Sequence, residues 1–212
     1  MRGLPKNPRA LRCPDAVSER RAMLTQPHIA PLQVFLDQLR AEGRGIVPDF
    51  DPLDGGVNAE ILFLFEKPGP MTDASKSAGR IGSGFISRDN DDPTAEATFL
   101  FMKKAGIDRR RSLLANTIPW WNGVRKIRKE EREAGLNRLG DLCDRLPLLR
   151  SVVMVGQVAR RATPVCIARD LQPFYSLHPS PINRGRRFFE WSRIPELWRQ
   201  AGDGLGAPLY RE

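Results

Sequence analysis

The ten residues HPSPINRGRR, from His178 to Arg187, place a histidine, a bare isoleucine and three arginines in one proline-braced turn. A histidine can exchange a proton near neutral pH, and guanidinium groups bind phosphate oxygens. A solvated loop has no need of Ile182, and a core strand cannot hold the arginines. The stretch therefore predicts a contact with a partner that offers hydrogen-bonding, apolar and anionic groups together.

The charge of the chain supports an anionic partner. Lysine and arginine number 34 against 25 aspartate and glutamate residues, and the isoelectric point is about 10.1. Nucleic acid is the first candidate and an anionic membrane surface the second. No apolar run approaches the roughly 20 residues of a membrane span, and no signal peptide is evident. We expect a cytoplasmic, nucleoid-associated protein with no membrane segment.

Apolar spacing divides the chain into strands that alternate with helices. Four buried runs predict strands, within AEILFLFEKPGP, SLLANTIPWW, RSVVMVGQ and LQPFYSLHPSP. Helices are expected before Gly43, after Asp92 and between Lys126 and Arg145. This alternation predicts an α/β fold with a central parallel sheet of four strands. One domain spans 26–212, and residues 1–25 form a basic arm before it.

Unusual residues follow the predicted strands, in EKPGP, NTIPWWN, GQ and HPSP. Ligands of parallel sheets bind outside the carboxyl ends of the strands, so we expect these residues to converge on one crevice. The polar stretch from Met71 to Pro93 is long for a connection without regular structure, which marks it as a candidate functional segment.

Three of these motifs carry a family resemblance. FEKPGP, NTIPWWN and HPSPIN, in this order, resemble motifs of the uracil-DNA glycosylase superfamily over roughly residues 61–198. The resemblance implies a three-layer α/β/α fold that acts on damaged single- or double-stranded DNA, and we expect a monomer without a cofactor. The implied reaction flips a damaged base, above all uracil, out of DNA and hydrolyses its N-glycosidic bond to leave an abasic site.

The resemblance gives His178 and Asn116 contacts with the flipped base. His178 takes the place of a histidine that donates a hydrogen bond to the pyrimidine O2, where negative charge develops in the transition state. Asn116 takes the place of an asparagine whose amide reads the O4 and N3–H edge of uracil. The structural alternatives are a loop histidine bonded to a carbonyl and a strand-end asparagine that caps a turn.

The rest of the HPSPINRGRR stretch is implied to hold the DNA. Ile182, after Pro181, matches the aliphatic wedge that fills the space left by the flipped base. Ser180 and the arginines are suited to phosphate oxygens, which fix position without reading sequence. The alternatives are an isoleucine folded onto the core and a solvated basic face; the arginines are Arg184, Arg186 and Arg187.

The first motif departs from the family pattern. Lys67 stands where several relatives carry a catalytic aspartate or asparagine, and Glu66 matches the glutamate of relatives with a G-E-A-P-G motif. We expect Glu66 to position water or stabilise the cationic sugar, with a strand-end salt bridge as the alternative. Lys67 is expected to contact the base or a phosphate, and a neutral Lys67 could instead attack the sugar carbon.

Base stacking needs an aromatic face, and Phe85 in the 71–93 stretch is the first candidate. A core position for Phe85 is the alternative, and Trp120 or Trp121 could stack in its place. Gly69 would let the backbone approach the flipped nucleotide.

No metal or cluster is expected, because three cysteines cannot complete the four-thiolate iron–sulfur site of the G-E-A-P-G relatives. A second reading of the same residues is a protein that binds damaged or single-stranded DNA without cutting it. A nucleotide-processing enzyme is disfavoured, because neither GxxxxGK[ST] nor GxGxxG occurs.

Overall fold

The computed structural model describes residues 3–77 and 80–204 of the chain. Its centre is a four-stranded sheet in the order β6-β2-β7-β8, in which all neighbouring strands are parallel. The four strands are β2 Ile61–Phe65, β6 Ser112–Asn116, β7 Ser151–Val155 and β8 Gln172–Ser176. The predicted α/β fold with a parallel sheet of four strands is confirmed.

The burial of each strand follows its place in the sheet. Every residue of β2, β6 and β7 is buried, as expected of parallel strands with helices on both faces. Among the described residues, β8 pairs only with β7, and it is partly exposed. Pro173 is tolerated in β8 because an edge strand leaves one side of its backbone unpaired.

Short strands lie outside this sheet. The parallel pair β1 and β5 and the antiparallel pair β3 and β4 each form a two-stranded sheet. Their bounds are β1 Asp49–Phe50, β3 Lys76–Ser77, β4 Arg80–Ile81 and β5 Phe85–Ile86.

Eight α-helices occur in the described ranges, several of them close to their predicted positions. The longer ones are α1 Pro14–Ala22, α2 Ala30–Ala41, α3 Pro93–Lys104, α4 Lys129–Cys143 and α8 Ile194–Asp203. The short ones are α5 Thr163–Ile167, α6 Pro181–Arg186 and α7 Phe188–Ser192. Asp92 caps α3 as predicted, because its carboxylate accepts hydrogen bonds from the backbone N–H groups of Thr94 and Ala95.

The helices flank the sheet on its two faces. On one face α8 packs against β7, β8 and α3, and the Trp198 ring lies 5.0 Å from the Phe63 ring of β2. On the other face α2 and α4 cover Ala115 of β6 with Leu36 and Leu139 among their buried side chains. Side chains alternate along a strand, so each strand contributes to both apolar layers.

A buried ion cluster fixes much of the 71–93 stretch. Arg109 donates to Asp51 at 2.7 Å, Asp54 at 2.8 Å and Asp89 at 2.8 Å. Arg88 forms a salt bridge with Asp54 at 3.4 Å. The buried charges cancel in pairs, which offsets the cost of removing them from water. This long polar stretch is therefore held in the interior over 85–90 rather than lying free at the surface.

The amino-terminal segment also reaches this cluster. Helix α1 lies within the stretch predicted as an arm, and its Arg20 is 5% exposed. The Arg20 guanidinium donates to Asp51 at 3.2 Å and to Asp89 at 2.9 Å. Residues 10–22 are therefore joined to the α/β unit by buried ion pairs.

Candidate functional site

Two adjoining crevices open at the carboxyl ends of the strands. The first crevice encloses about 600 Å³, and the second crevice encloses about 580 Å³. Four residues line both of them: Lys67, Arg125, His178 and Ser180. The position agrees with the rule that places ligands of parallel sheets at this edge.

His178 lies just beyond β8, on the wall between the crevices. Its ring meets Phe65 edge to face, and its backbone carbonyl accepts a hydrogen bond from the Asn183 side chain at 2.9 Å. Burial lowers the pKa of His178 to about 4. The imidazole is therefore neutral at pH 7, and one ring nitrogen can donate a hydrogen bond while the other accepts one.

Gly156 gives His178 its room. It follows β7 with a φ of +91°, and a Cβ built there would lie 3.3 Å from the His178 Cβ. Only glycine adopts this backbone conformation without strain. Gly156 of the predicted GQ motif thus contributes to the site because it has no side chain that would crowd His178.

Asn116 ends β6 opposite Phe65 of β2 and lines the first crevice together with His178. The residue is 9% exposed, and no group in the described ranges bonds its side-chain amide. Because Asn116 lines the crevice, its unpaired amide is available to a bound molecule. The turn-capping alternative has no hydrogen bond to support it within residues 3–77 and 80–204.

Glu66 lies in the second crevice and does not line the first. Consecutive side chains of an extended chain point in opposite directions, so Glu66 and Phe65 serve different crevices. Burial raises the pKa of the half-buried Glu66 carboxyl, and the Lys67 charge opposes that rise. The prediction that all strand-end residues meet in one crevice is therefore wrong for Glu66.

Lys67 has no donor left for a ligand. Its ammonium group donates to Asn122 Oδ1 at 2.7 Å, the Val124 carbonyl at 2.9 Å and Glu131 Oε1 at 2.6 Å. An ammonium group has three N–H donors, and these contacts use all of them. The geometry argues against the predicted base contact, and equally against attack on the sugar carbon, because all three contacts hold the Lys67 nitrogen on protein acceptors.

The HPSP turn leads into α6. Ser180 caps this helix by accepting a hydrogen bond from the Asn183 N–H at 3.4 Å, and Pro181 occupies its first turn. Ile182 is 66% exposed and lines the first crevice. The alternative in which Ile182 folds onto the core is therefore wrong.

The predicted phosphate-binding arginines are exposed on the same loop. The Arg184 guanidinium lies 5.4 Å from the centre of the Trp191 ring, and Arg187 pairs with Glu190 at 3.2 Å. Such exposed pairs are weak, so both groups remain available to a stronger anion. Arg186 is exposed beside them.

The predicted stacking residues lie elsewhere. Phe85 belongs to β5, is 0% exposed and does not line the first crevice, so its assignment as a base-stacking residue is corrected to a core residue. Trp120 and Trp121 are also buried and line neither crevice. Gly69 does line the first crevice, but a Cβ there would meet nothing within 4 Å, so this position does not require glycine sterically.

Two residues of the crevices escaped the sequence reasoning. Phe65 is an aromatic side chain on the wall of the first crevice, hidden in the sequence because its run reads as uniform core. Arg125 lines both crevices, is exposed, and has no partner among the described residues. The basic run RKIRK was the available signal, but the helix predicted between Lys126 and Arg145 took in most of it.

Two further features are absent from residues 3–77 and 80–204. No group of three or more histidine, cysteine, aspartate or glutamate residues there could hold a metal ion. No helix there is long and apolar enough to cross a membrane.

The fold and the crevices define an α/β protein with a candidate ligand site at the carboxyl edge of a parallel sheet. Compared with protein-family models and with curated proteins, the chain matches none.

Proposed function

We propose that the protein is a DNA glycosylase that flips a damaged base, above all uracil, into the first crevice and hydrolyses its N-glycosidic bond. The observation that carries the proposal is the pairing in that crevice of a neutral His178 with the unpartnered amide of Asn116. The resemblance of FEKPGP, NTIPWWN and HPSPIN to uracil-DNA glycosylase motifs supports the same reading.

Each group has a part in the proposed reaction. Ile182 fills the space of the flipped base, and the arginines of the loop hold phosphates. Asn116 reads the edge of the base, while the His178 N–H stabilises negative charge on it. The bond between C1′ and the base nitrogen breaks with its electron pair on the base. Water then adds its oxygen to C1′ and yields a proton to solvent.

Glu66 fits this scheme only at the boundary of the crevices. Lys67 and His178 form that boundary, and Glu66 lies on its far side. A sugar held at the boundary would expose C1′ to water from the second crevice. Glu66 would then orient that water as a carboxylate, or stabilise the cationic sugar by charge.

The test is an abasic-site assay on labelled oligonucleotides that contain uracil, either single-stranded or paired with guanine. We expect strand breaks after alkali with the wild-type protein, and a loss of about 100- to 1,000-fold in rate with His178→Ala. Asn116→Ala should lose activity as well. Wild-type protein that binds both substrates but releases no uracil would refute the uracil reading.

A binding protein without glycosylase activity is the second candidate. Two observations favour it: Glu66 lies outside the first crevice, and Lys67 is held in an ion pair with Glu131. Such a protein would bind damaged or single-stranded DNA and leave no abasic sites. Affinity that falls steeply between about 50 and 200 mM salt, without cleavage of any lesion, would support this candidate.

A further inference from the structure

Two exposed phenylalanines follow the arginines of the HPSPINRGRR loop. Phe188 is 61% and Phe189 is 71% exposed, and both belong to α7. With Ile182 at 66%, three large apolar side chains lie exposed within eight residues. Grouped exposed apolar side chains commonly mark a binding surface. Neither ring lines the crevices, so the glycosylase scheme leaves them unused.

The position of Phe188 is fixed by packing against Trp191. Its ring stacks on Trp191 with centroids 6.2 Å apart and planes at 22°. Trp191 in turn meets the buried ring of Phe101 at 4.6 Å. One face of Phe188 thus packs on Trp191, and the ring remains largely exposed to solvent. Because the ring is already held in place, a ligand that binds it loses little entropy in fixing its position.

The charge around the two rings is positive. Arg184, Arg186, Arg187 and Arg193 are exposed on the same short segment, and the Arg193 guanidinium lies 5.7 Å from the centre of the Phe189 ring. Glu190 is engaged by Arg187. A ligand for this surface should combine anionic groups with flat apolar faces.

We propose that Phe188 and Phe189 form a stacking platform for unpaired bases, so that the substrate of the site is single-stranded DNA. Aromatic rings beside basic groups are the usual means of binding single strands without sequence preference. Bases of a duplex are already stacked and would leave the platform empty. Consecutive helix residues point about 100° apart, so the rings offer two separate contacts rather than one clamp. The assignment of the substrate class rests on the proposed function.

The experiment compares three labelled ligands of equal length: an oligothymidylate, a strand of abasic spacers and a duplex. Fluorescence anisotropy gives the Kd of each for wild type and for the Phe188→Ala/Phe189→Ala variant. We expect the variant to bind oligothymidylate about tenfold or more weakly, and the abasic strand and the duplex within twofold of wild type. Equal loss on all three ligands, or no loss on oligothymidylate, would overturn the platform.

Further variants separate stacking from other causes. Phe188→Leu/Phe189→Leu keeps apolar bulk without an aromatic face and should behave as the alanine variant does. Val34→Ala removes another exposed side chain, 59% exposed on α2, and should change nothing. Arg186→Gln should weaken binding to oligothymidylate and the abasic strand alike. A change in oligomeric state of the phenylalanine variants on size exclusion would instead assign the rings to a contact between copies.

None of these ligands contains a damaged base, so the result does not depend on catalysis. If the phenylalanine variant binds oligothymidylate as well as wild type does, while wild type releases uracil, the single-strand assignment alone is refuted. Base-dependent binding without uracil release would refute the glycosylase proposal and leave the platform in place.

Discussion

The imidazole of His178 meets the ring of Phe65 edge to face, with centroids 5.7 Å apart and planes at 90°. The contact joins the end of β8 to the end of β2, two strands that are separated in the sheet by β7. It covers one side of the imidazole with apolar surface, and this burial favours the uncharged form. A neutral donor at the mouth of the first crevice is thus a consequence of the packing between two strand ends.

Titration of His178 should reveal this environment. Its pKa is lowered from 6.5 to about 4, so the unfolded chain binds a proton in that interval that the folded chain does not. Stability should therefore fall by about 3 kcal/mol as the pH drops from 6.5 through 4. NMR can follow the imidazole directly, because the chain has two histidines and His178→Asn identifies the resonance. A His178 midpoint near 6.5 would contradict the prediction.

Gly156→Ala should damage the site and the fold together. The new Cβ would crowd His178 at 3.3 Å in a backbone conformation that strains alanine. We expect a loss of about 1–2 kcal/mol in urea unfolding and a displaced His178 resonance. Gly69→Ala is the matched control, since its Cβ meets nothing within 4 Å. Equal effects of the two substitutions would argue against the contact with His178.

The Lys67–Glu131 ion pair should be structural. The side chains are 4% and 10% exposed, so Glu131→Gln leaves a buried ammonium without its counter-charge. We expect this change to lower the free energy of unfolding by about 3–5 kcal/mol. Denaturant unfolding of each single variant and of Lys67→Met/Glu131→Gln measures the coupling.

The same pair predicts the outcome of chemical trapping. The Lys67 nitrogen is held by three protein acceptors and is not free to form a Schiff base with the sugar, so borohydride should leave no protein–DNA crosslink. A crosslink on a cleaved substrate that disappears with Lys67→Met would show that Lys67 leaves these partners and attacks the sugar in the complex.

Arg109→Met should be among the most destabilising substitutions in the chain. It leaves Asp51, Asp54 and Asp89 buried together without their shared partner, which costs about 3–5 kcal/mol at pH 7. Burial already raises the pKa of Asp54 to about 6. Protonation of the carboxylates should therefore return part of the loss as the pH falls from 7 to 5.

Thermal or urea unfolding at both pH values measures this effect. Arg199→Ala breaks exposed pairs with Glu196 and Asp203 and should leave the free energy of unfolding nearly unchanged at both pH values. A loss at Arg109 that is equal at the two pH values would show that the carboxylates do not take up the missing charge.

The parallel sheet could be predicted because its signals are local. Strands such as ILFLF are apolar on both faces, and the residues that follow them must emerge at one edge. That rule brought Asn116 and His178 together. The rule does not say toward which crevice each side chain points. Glu66 is one position after Phe65, and its side chain therefore points into the other crevice.

The 71–93 stretch could not be predicted for a different reason. Its polar sequence predicts exposure, yet Arg88 and Asp89 form buried salt bridges with residues from distant parts of the chain. Arg20 precedes Asp89 by 69 residues, and no local sequence pattern predicts their contact. Phe85 is a core residue because β5 pairs with β1, a strand distant in the chain, and the local sequence does not indicate this pairing.

The shared wall between the crevices has a thermodynamic consequence. A molecule that fills the second crevice removes water from His178 and Arg125, side chains that a molecule in the first crevice also contacts. Each occupant therefore alters the free energy with which the other binds, and by linkage the two effects are equal. An anion drawn to Arg125 from one side competes with phosphate from the other, so binding at the two crevices should be antagonistic for like charges.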